Sequence, residues 1–121
     1  MRIAALVKPI RDVRAATNAK RARADLVLDP FSRRAVAQAC ELAAAVGDGT
    51  VTVVTLGPPA AERVAREAMT AAAETDVACD GLVVDDPGPD SMAIGRALAD
   101  GLLAAGGFDL ILTGRRGADG P

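Results

Sequence analysis

The residues best placed to do chemistry stand near the end of the chain. Leu110-Ile111-Leu112-Thr113-Gly114-Arg115-Arg116-Gly117-Ala118-Asp119-Gly120-Pro121 is an apolar run entering a glycine-rich turn. Gly114, Gly117 and Gly120 let backbone N–H groups come close to an anion, and Arg115 and Arg116 supply planar, permanently charged donors. Phosphate is the natural ligand of such a turn, with an ordinary solvated loop as the plain alternative. Asp85-Asp86 is the other concentration of charge. Neighbouring residues of a strand point to opposite faces, so this pair reads better as solvated loop acids than as a metal site or an acid/base couple.

What is missing narrows the chemistry further. Histidine is absent from the 121 residues, which excludes imidazole bases, proton shuttles and histidine metal ligands within this chain. Ser/His/Asp and Cys/His hydrolases go with them. Cys40 and Cys79 are far apart and form no CxxC, so both are expected to be small buried hydrophobes. No metal site and no catalytic residue are expected. With 14 Lys+Arg against 16 Asp+Glu the net charge is −2, and with two Phe, no Trp and no Tyr there is little to stack bases on. Nucleic acid is therefore not an expected partner. No apolar run approaches the ~18 residues that span a bilayer, and residues 1–8 are too short for a signal peptide. A cytoplasmic location is expected by default.

The elements that must position the turn can be read from periodicity. Four short apolar runs, Ile3–Val7, Val51–Leu56, Leu82–Val84 and Leu110–Leu112, read as strands, and their near-continuous hydrophobicity predicts a parallel sheet covered on both faces. Three helical stripes lie between them. The first is Val36, Ala39, Ala43 and Val46, started by Asp29 as cap and Pro30 at the first helical position. The second is Val64, Ala68, Met69 and Ala72, entered through Gly57-Pro58-Pro59. The third is Ile94, Leu98, Leu102 and Ala105, capped by Asp90 or Ser91 and stopped at Gly106-Gly107. Residues 8–28, with Lys8, Arg11, Arg14, Lys20, Arg21 and Arg23 against Asp12 and Asp25, read as a solvated loop or hairpin. With 27 Ala, the core is built of small side chains.

This order is βαβ repetition, which predicts one α/β domain over 1–121 with a doubly wound parallel sheet. A buried strand and its turn normally feed a further helix and strand, so the chain is expected to be a fragment of a longer one, with an incomplete sheet. In open α/β sheets ligands sit outside the carboxyl ends of the strands, where strand order reverses. That rule selects Leu6-Val7-Lys8, Leu56-Gly57, Asp85-Asp86 and Gly114 to Gly120. Neither G-x-G-x-x-G in the first connection nor G-x-x-x-x-G-K-[ST] is present, which disfavours classical NAD binding and Walker-type ATP hydrolysis.

Several motifs, taken in order, carry a resemblance. Arg2-Ile3-Ala4-Ala5-Leu6-Val7-Lys8, Leu28-Asp29-Pro30-Phe31-Ser32-Arg33-Arg34-Ala35-Val36, Val51-Thr52-Val53-Val54-Thr55-Leu56-Gly57-Pro58-Pro59, Arg66-Glu67-Ala68-Met69 and Asp109-Leu110-Ile111-Leu112-Thr113-Gly114-Arg115 resemble the beta subunit of electron transfer flavoprotein. The resemblance implies an adenine nucleotide alpha-hydrolase-like, Rossmann-like domain that holds a structural AMP. It also implies one FAD, shared with and bound chiefly by an alpha subunit, and flavin dehydrogenases as electron donors. Carried onto this sequence, the AMP contacts are Leu6, Asp29, Pro30, Phe31, Ser32, Leu56, and Gly114, Arg115, Arg116, Gly117, Ala118, Asp119 and Gly120 around the phosphate. Asp29 stands where the family usually has Asn, so it is expected to cap the helix or meet the adenine edge rather than phosphate. Arg116 stands where Gln is usual. On this reading the chain is an electron-carrier subunit with no bond-breaking catalysis of its own. The alternative is a stand-alone nucleotide-binding module similar to the universal stress proteins, which share the Gly/Arg turn but not the Asp29-Pro30-Phe31-Ser32 helix start.

Overall fold

The computed structural model describes residues 1–11 and 26–116, and a four-stranded parallel sheet forms its centre. In chain order the elements are β1 (Arg2–Val7), β2 (Pro9–Arg11), β3 (Leu26–Leu28), α1 (Pro30–Val46), β4 (Thr50–Leu56), α2 (Ala61–Met69) continued by a 3-10 turn (Thr70–Glu74), β5 (Ala78–Val84), α3 (Ser91–Ala104) and β6 (Leu110–Thr113). The sheet order is β5-β4-β1-β6. β1 pairs in parallel with β4 from Arg2↔Thr50 to Val7↔Thr55, and with β6 from Ile3↔Leu110 to Leu6↔Thr113.

The chain thus winds outward from β1 to β4 and β5, then returns across β1 to β6. Because parallel crossovers are right-handed, reversing the direction of winding moves the next helix to the opposite face. The packing follows that rule. α1 and α2 lay Val36, Ala39, Cys40, Val64 and Ala68 on Ile3, Ala5, Val51 and Val53. Leu102 and Leu98 of α3, joined by Phe108 from the segment after it, pack on Ala4 and Val54. The protein is therefore an α/β, Rossmann-like, doubly wound fold.

Period-two alternation sends Ile3, Ala5 and Val7 to one face and Ala4 and Leu6 to the other, and both sets pack, as in β4. The outer strands depart from the expectation of two covered faces: Ile111 in β6 is 48% exposed. It belongs to an edge strand on the face that α3 alone covers among the described helices. β5 also begins four residues before the apolar run at Leu82. Its first half carries Asp80, whose carboxylate accepts the Thr52 hydroxyl at 2.6 Å, a cross-strand polar pair that hydrophobicity alone does not reveal.

Pro30 occupies the first turn of α1 as expected, but the Asp29 side chain makes no cap hydrogen bond. The Asp29 carbonyl instead accepts Arg33 N–H at 2.9 Å. The expected stripe also shortens. Val46, beside the Gly47 cap in the last turn, is 44% exposed, and burial ends at Ala43. α2 starts on the carbonyls of Pro58 and Pro59, which accept the N–H groups of Ala61 and Glu62. Its stripe runs through Val64 and Ala68, while Ala72 is buried on the 3-10 turn rather than on the helix. Asp90 caps α3 by accepting Met92 N–H at 3.2 Å, and Gly106 and Gly107 end it at φ 102° and 78°. Of the expected α3 face only Leu102 is fully buried.

Two features tie the ends of the sheet. The Arg2 guanidinium donates to the carbonyls of Ala105 and Gly107 and lies 4.5 Å from the Phe108 ring, so it holds the C-terminal end of α3 against β1. At the opposite end β2 and β3 form an antiparallel pair from Pro9↔Leu28 to Arg11↔Leu26. Asp12, Arg14, Lys20, Arg21, Arg23 and Asp25, expected in a solvated loop or hairpin, lie outside the described residues. Among the described residues no helix is long and apolar enough to cross a membrane, and no cluster of His, Cys, Asp and Glu has metal-site geometry.

Candidate functional site

β1, β4 and β6 end together beside the point where strand order reverses, and their carboxyl ends open onto a cavity of about 560 Å³. That volume lies within the range of small-molecule sites. Register builds one wall. Leu6 pairs with both Val54 and Thr113, and Leu56 lies two residues beyond Val54, so all four side chains share the α3 face. Ile94 and Leu98, one turn apart on α3, close the wall, with Pro58 beside Leu56. Val7, Pro9 and Leu26 add apolar lining beside β2 and β3, and the polar lining comes from Lys8 just after β1, Arg11 at the end of β2, Asp29 and Ser32 at the start of α1, Asp86 after β5 and Arg116 after β6.

The start of α1 is held against the end of β1 by a short network. Asp29 N–H donates to the Lys8 carbonyl at 3.2 Å, and Lys8 N–H donates to Ser32 Oγ at 2.9 Å. The Ser32 hydroxyl in turn makes a long contact of 3.5 Å with Asp29 Oδ2. Ser32 is buried and Asp29 is 1% exposed, so this bonding satisfies groups that water does not reach. Gly114 comes in from β6 on the other side. A Cβ there would lie 2.9 Å from the Phe31 carbonyl carbon and 3.0 Å from Ser32 N. The lack of a side chain serves a backbone-to-backbone approach between the β6 turn and α1. Two residues on, the Arg116 guanidinium carbon sits 5.3 Å from the centre of the Phe31 ring.

Of the residues expected from sequence, the cavity gathers Leu6, Asp29, Ser32, Leu56, Gly114 and Arg116, and from the segments chosen on topology also Val7, Lys8, Gly57 and Asp86. Pro30, Phe31 and Arg115 are close in sequence but do not line it. Gly117, Ala118, Asp119 and Gly120 lie outside the described residues. Sequence reasoning missed Val54, Ile94 and Leu98. For Val54 the signal was available, since a residue two positions before Leu56 must share its face. Ile94 and Leu98 were read as core-facing, and α3 indeed carries them toward the sheet, but at its carboxyl end the sheet stops and they border the cavity. Asp85 and Asp86 are exposed, as solvated acids should be, and Asp86 Oδ1 accepts Gly88 N–H at 2.9 Å.

The shifted titrations belong to the thiols, away from the cavity. Burial pushes Cys40 up, opposed by a hydrogen bond with Thr75. Cys79 is pushed up to about 11 by burial, with Cys40 and Asp80 adding to the rise. Cys79 is only partly buried, a correction to the expectation of two fully buried cysteines. A thiol shifted this way is a poor nucleophile at neutral pH. The chemistry the cavity offers is binding, with an apolar wall facing a rim that carries both signs of charge.

A four-stranded doubly wound sheet with a mixed apolar and charged cavity at its switch point defines a Rossmann-like α/β domain, whose ligand crevice is expected at that point. Comparison with known proteins narrows this. Residues 17–120 match the family model "Electron transfer flavoprotein domain". Proteins described as "Electron transfer flavoprotein subunit beta" from Mycobacterium bovis and Mycobacterium tuberculosis are 37% identical over 106 residues, covering 83% of this chain. The chain belongs to the electron transfer flavoprotein family. It spans 38% of the length of these curated relatives. The first of the two resemblances read from the motifs is thus the one that the comparisons support.

Proposed function

We propose that this chain is the nucleotide-holding part of an electron transfer flavoprotein beta subunit, with AMP bound in the cavity at the ends of β1, β4 and β6. The carrying observation is that residues chosen from strand topology and from family motifs converge on one cavity of about 560 Å³. Its lining suits a nucleoside monophosphate. Leu6, Leu56, Ile94 and Leu98 offer an apolar slot for a purine, and aliphatic side chains take the place of a stacking ring. Lys8, Arg11 and Arg116 bring positive charge for the phosphate.

The role of this AMP is structural: it ties the carboxyl ends of three strands to the start of α1 and so fixes the surface offered to the partner. The FAD, shared with the alpha subunit and bound mainly there, supplies the electron-carrying chemistry. Flavin dehydrogenases are the donors, and the chain itself breaks no bonds. It works in the cytoplasm.

The test is to purify the protein together with its alpha subunit, extract with acid and separate the nucleotides by chromatography. About one adenine nucleotide in addition to FAD is expected. Recovery of FAD with no AMP, ADP or ATP would overturn the assignment of the cavity.

A further inference from the structure

We infer that Phe31 is a positioning residue for anion binding, acting through Arg116. The inference rests on the cavity being an anion-bearing nucleotide site, and it deepens that reading by assigning a role to a residue that does not line the cavity. Phe31 is half-buried in the first turn of α1, and Arg116 is exposed yet borders the cavity. The guanidinium carbon lies 5.3 Å from the ring centre, within the ~6 Å over which a ring face attracts a cation.

An exposed arginine following a strand would otherwise sample many rotamers, and ordering it costs conformational entropy at the moment of binding. Two contacts reduce that cost here. The backbone of Gly114 is seated on the Phe31 carbonyl and Ser32 N, which fixes where the turn leaves β6 relative to α1. The Phe31 ring then catches the side chain two residues later. The guanidinium is thereby held at the cavity mouth before any anion arrives, and because it carries five N–H donors, one ring contact leaves others for a phosphate. Preorganisation of this kind raises affinity for the charged part of a ligand and leaves the uncharged part unaffected.

At an exposed site a cation–ring contact is worth about a two- to fivefold change in an equilibrium constant. Calorimetric titration with AMP and with adenosine, after the resident nucleotide has been removed, tests this on the protein purified with its alpha subunit, its Phe31→Leu, Phe31→Tyr and Arg116→Gln variants, and the Phe31→Leu/Arg116→Gln double variant. Phe31→Leu should weaken AMP about two- to fivefold and leave adenosine unchanged, and Phe31→Tyr, which keeps the ring, should bind AMP like the parent. In the Arg116→Gln background Phe31→Leu should have no further effect. The inference is overturned if Phe31→Leu binds AMP as tightly as the parent, if it loses AMP and adenosine equally, or if the two substitutions add. A parent that binds neither ligand sinks the nucleotide reading itself, which is distinct from a parent that binds AMP with Phe31 inert.

Discussion

Gly114→Ala is expected to lower stability, and the size of the loss follows from three contacts. The added methyl would lie 2.9 Å from the Phe31 carbonyl carbon, 3.0 Å from its oxygen and 3.0 Å from Ser32 N. Carbon atoms rest at about 3.5–4.0 Å from their neighbours, so each contact is short by roughly half an ångström. All three are backbone atoms of the first turn of α1, which cannot rotate aside as a side-chain tip can. Inserting a methyl into such a site costs about 1–3 kcal/mol. Replacing glycine also removes conformational freedom from the unfolded chain, which offsets about 0.4–1 kcal/mol of that. The net expectation is a loss of about 1–2 kcal/mol, or a fall in melting temperature of roughly 4–10 °C for a domain of this size. Urea unfolding followed by circular dichroism measures it, with an unchanged m-value required for the comparison. Gly95→Ala is the matched reference. Gly95 is exposed in the middle of α3, and a methyl there meets nothing within 4 Å. The same chemical change should then stabilise the protein by about 0.5–1 kcal/mol through helix propensity. Equal effects of the two substitutions, or a gain at Gly114, would refute the close approach of β6 to α1.

Two further outcomes follow from groups away from the cavity. Thr55 Oγ1 is buried in β4 with no hydrogen-bond partner among the described residues, so Thr55→Val should remove a desolvation penalty and raise stability by about 1 kcal/mol, seen as a higher urea midpoint; a lower midpoint would show that the hydroxyl is paired. Cys79 is held protonated in the folded state up to about 11, against 9.0 for an unshifted thiol. The unfolded chain therefore loses this proton first, so the contribution of Cys79 is fully present below pH 9.0, is lost as pH rises through about 11, and should largely vanish from that window in Cys79→Ala; identical alkaline profiles for parent and variant would contradict it.

The strands of β1 and β4 were legible because both of their faces are buried, which leaves an uninterrupted apolar run. The first half of β5 was not, because Asp80 satisfies itself against Thr52, a partner 28 residues away that periodicity cannot see. Pro30 marked the start of α1 by its fixed φ, a local property. The Asp29 side chain was expected to cap that helix by the same local logic, but it lies instead in the packed junction of β1 and α1, beside Ser32.

By itself the sequence determined the alternation of strands and helices, the absence of imidazole chemistry and the glycine- and arginine-rich segment that follows Thr113, since each depends on residue type and near-neighbour spacing. It also held the family motifs, which span most of the chain. Only the tertiary structure decided that β6 lies beside β1, that Leu6, Val54 and Thr113 meet on one face, and that Ile94 and Leu98 border the cavity where the sheet ends. The pairing of Arg116 with Phe31 belongs to the same category. These are contacts between residues up to more than a hundred positions apart, and they are fixed by the order and handedness of the crossovers, which no local pattern encodes.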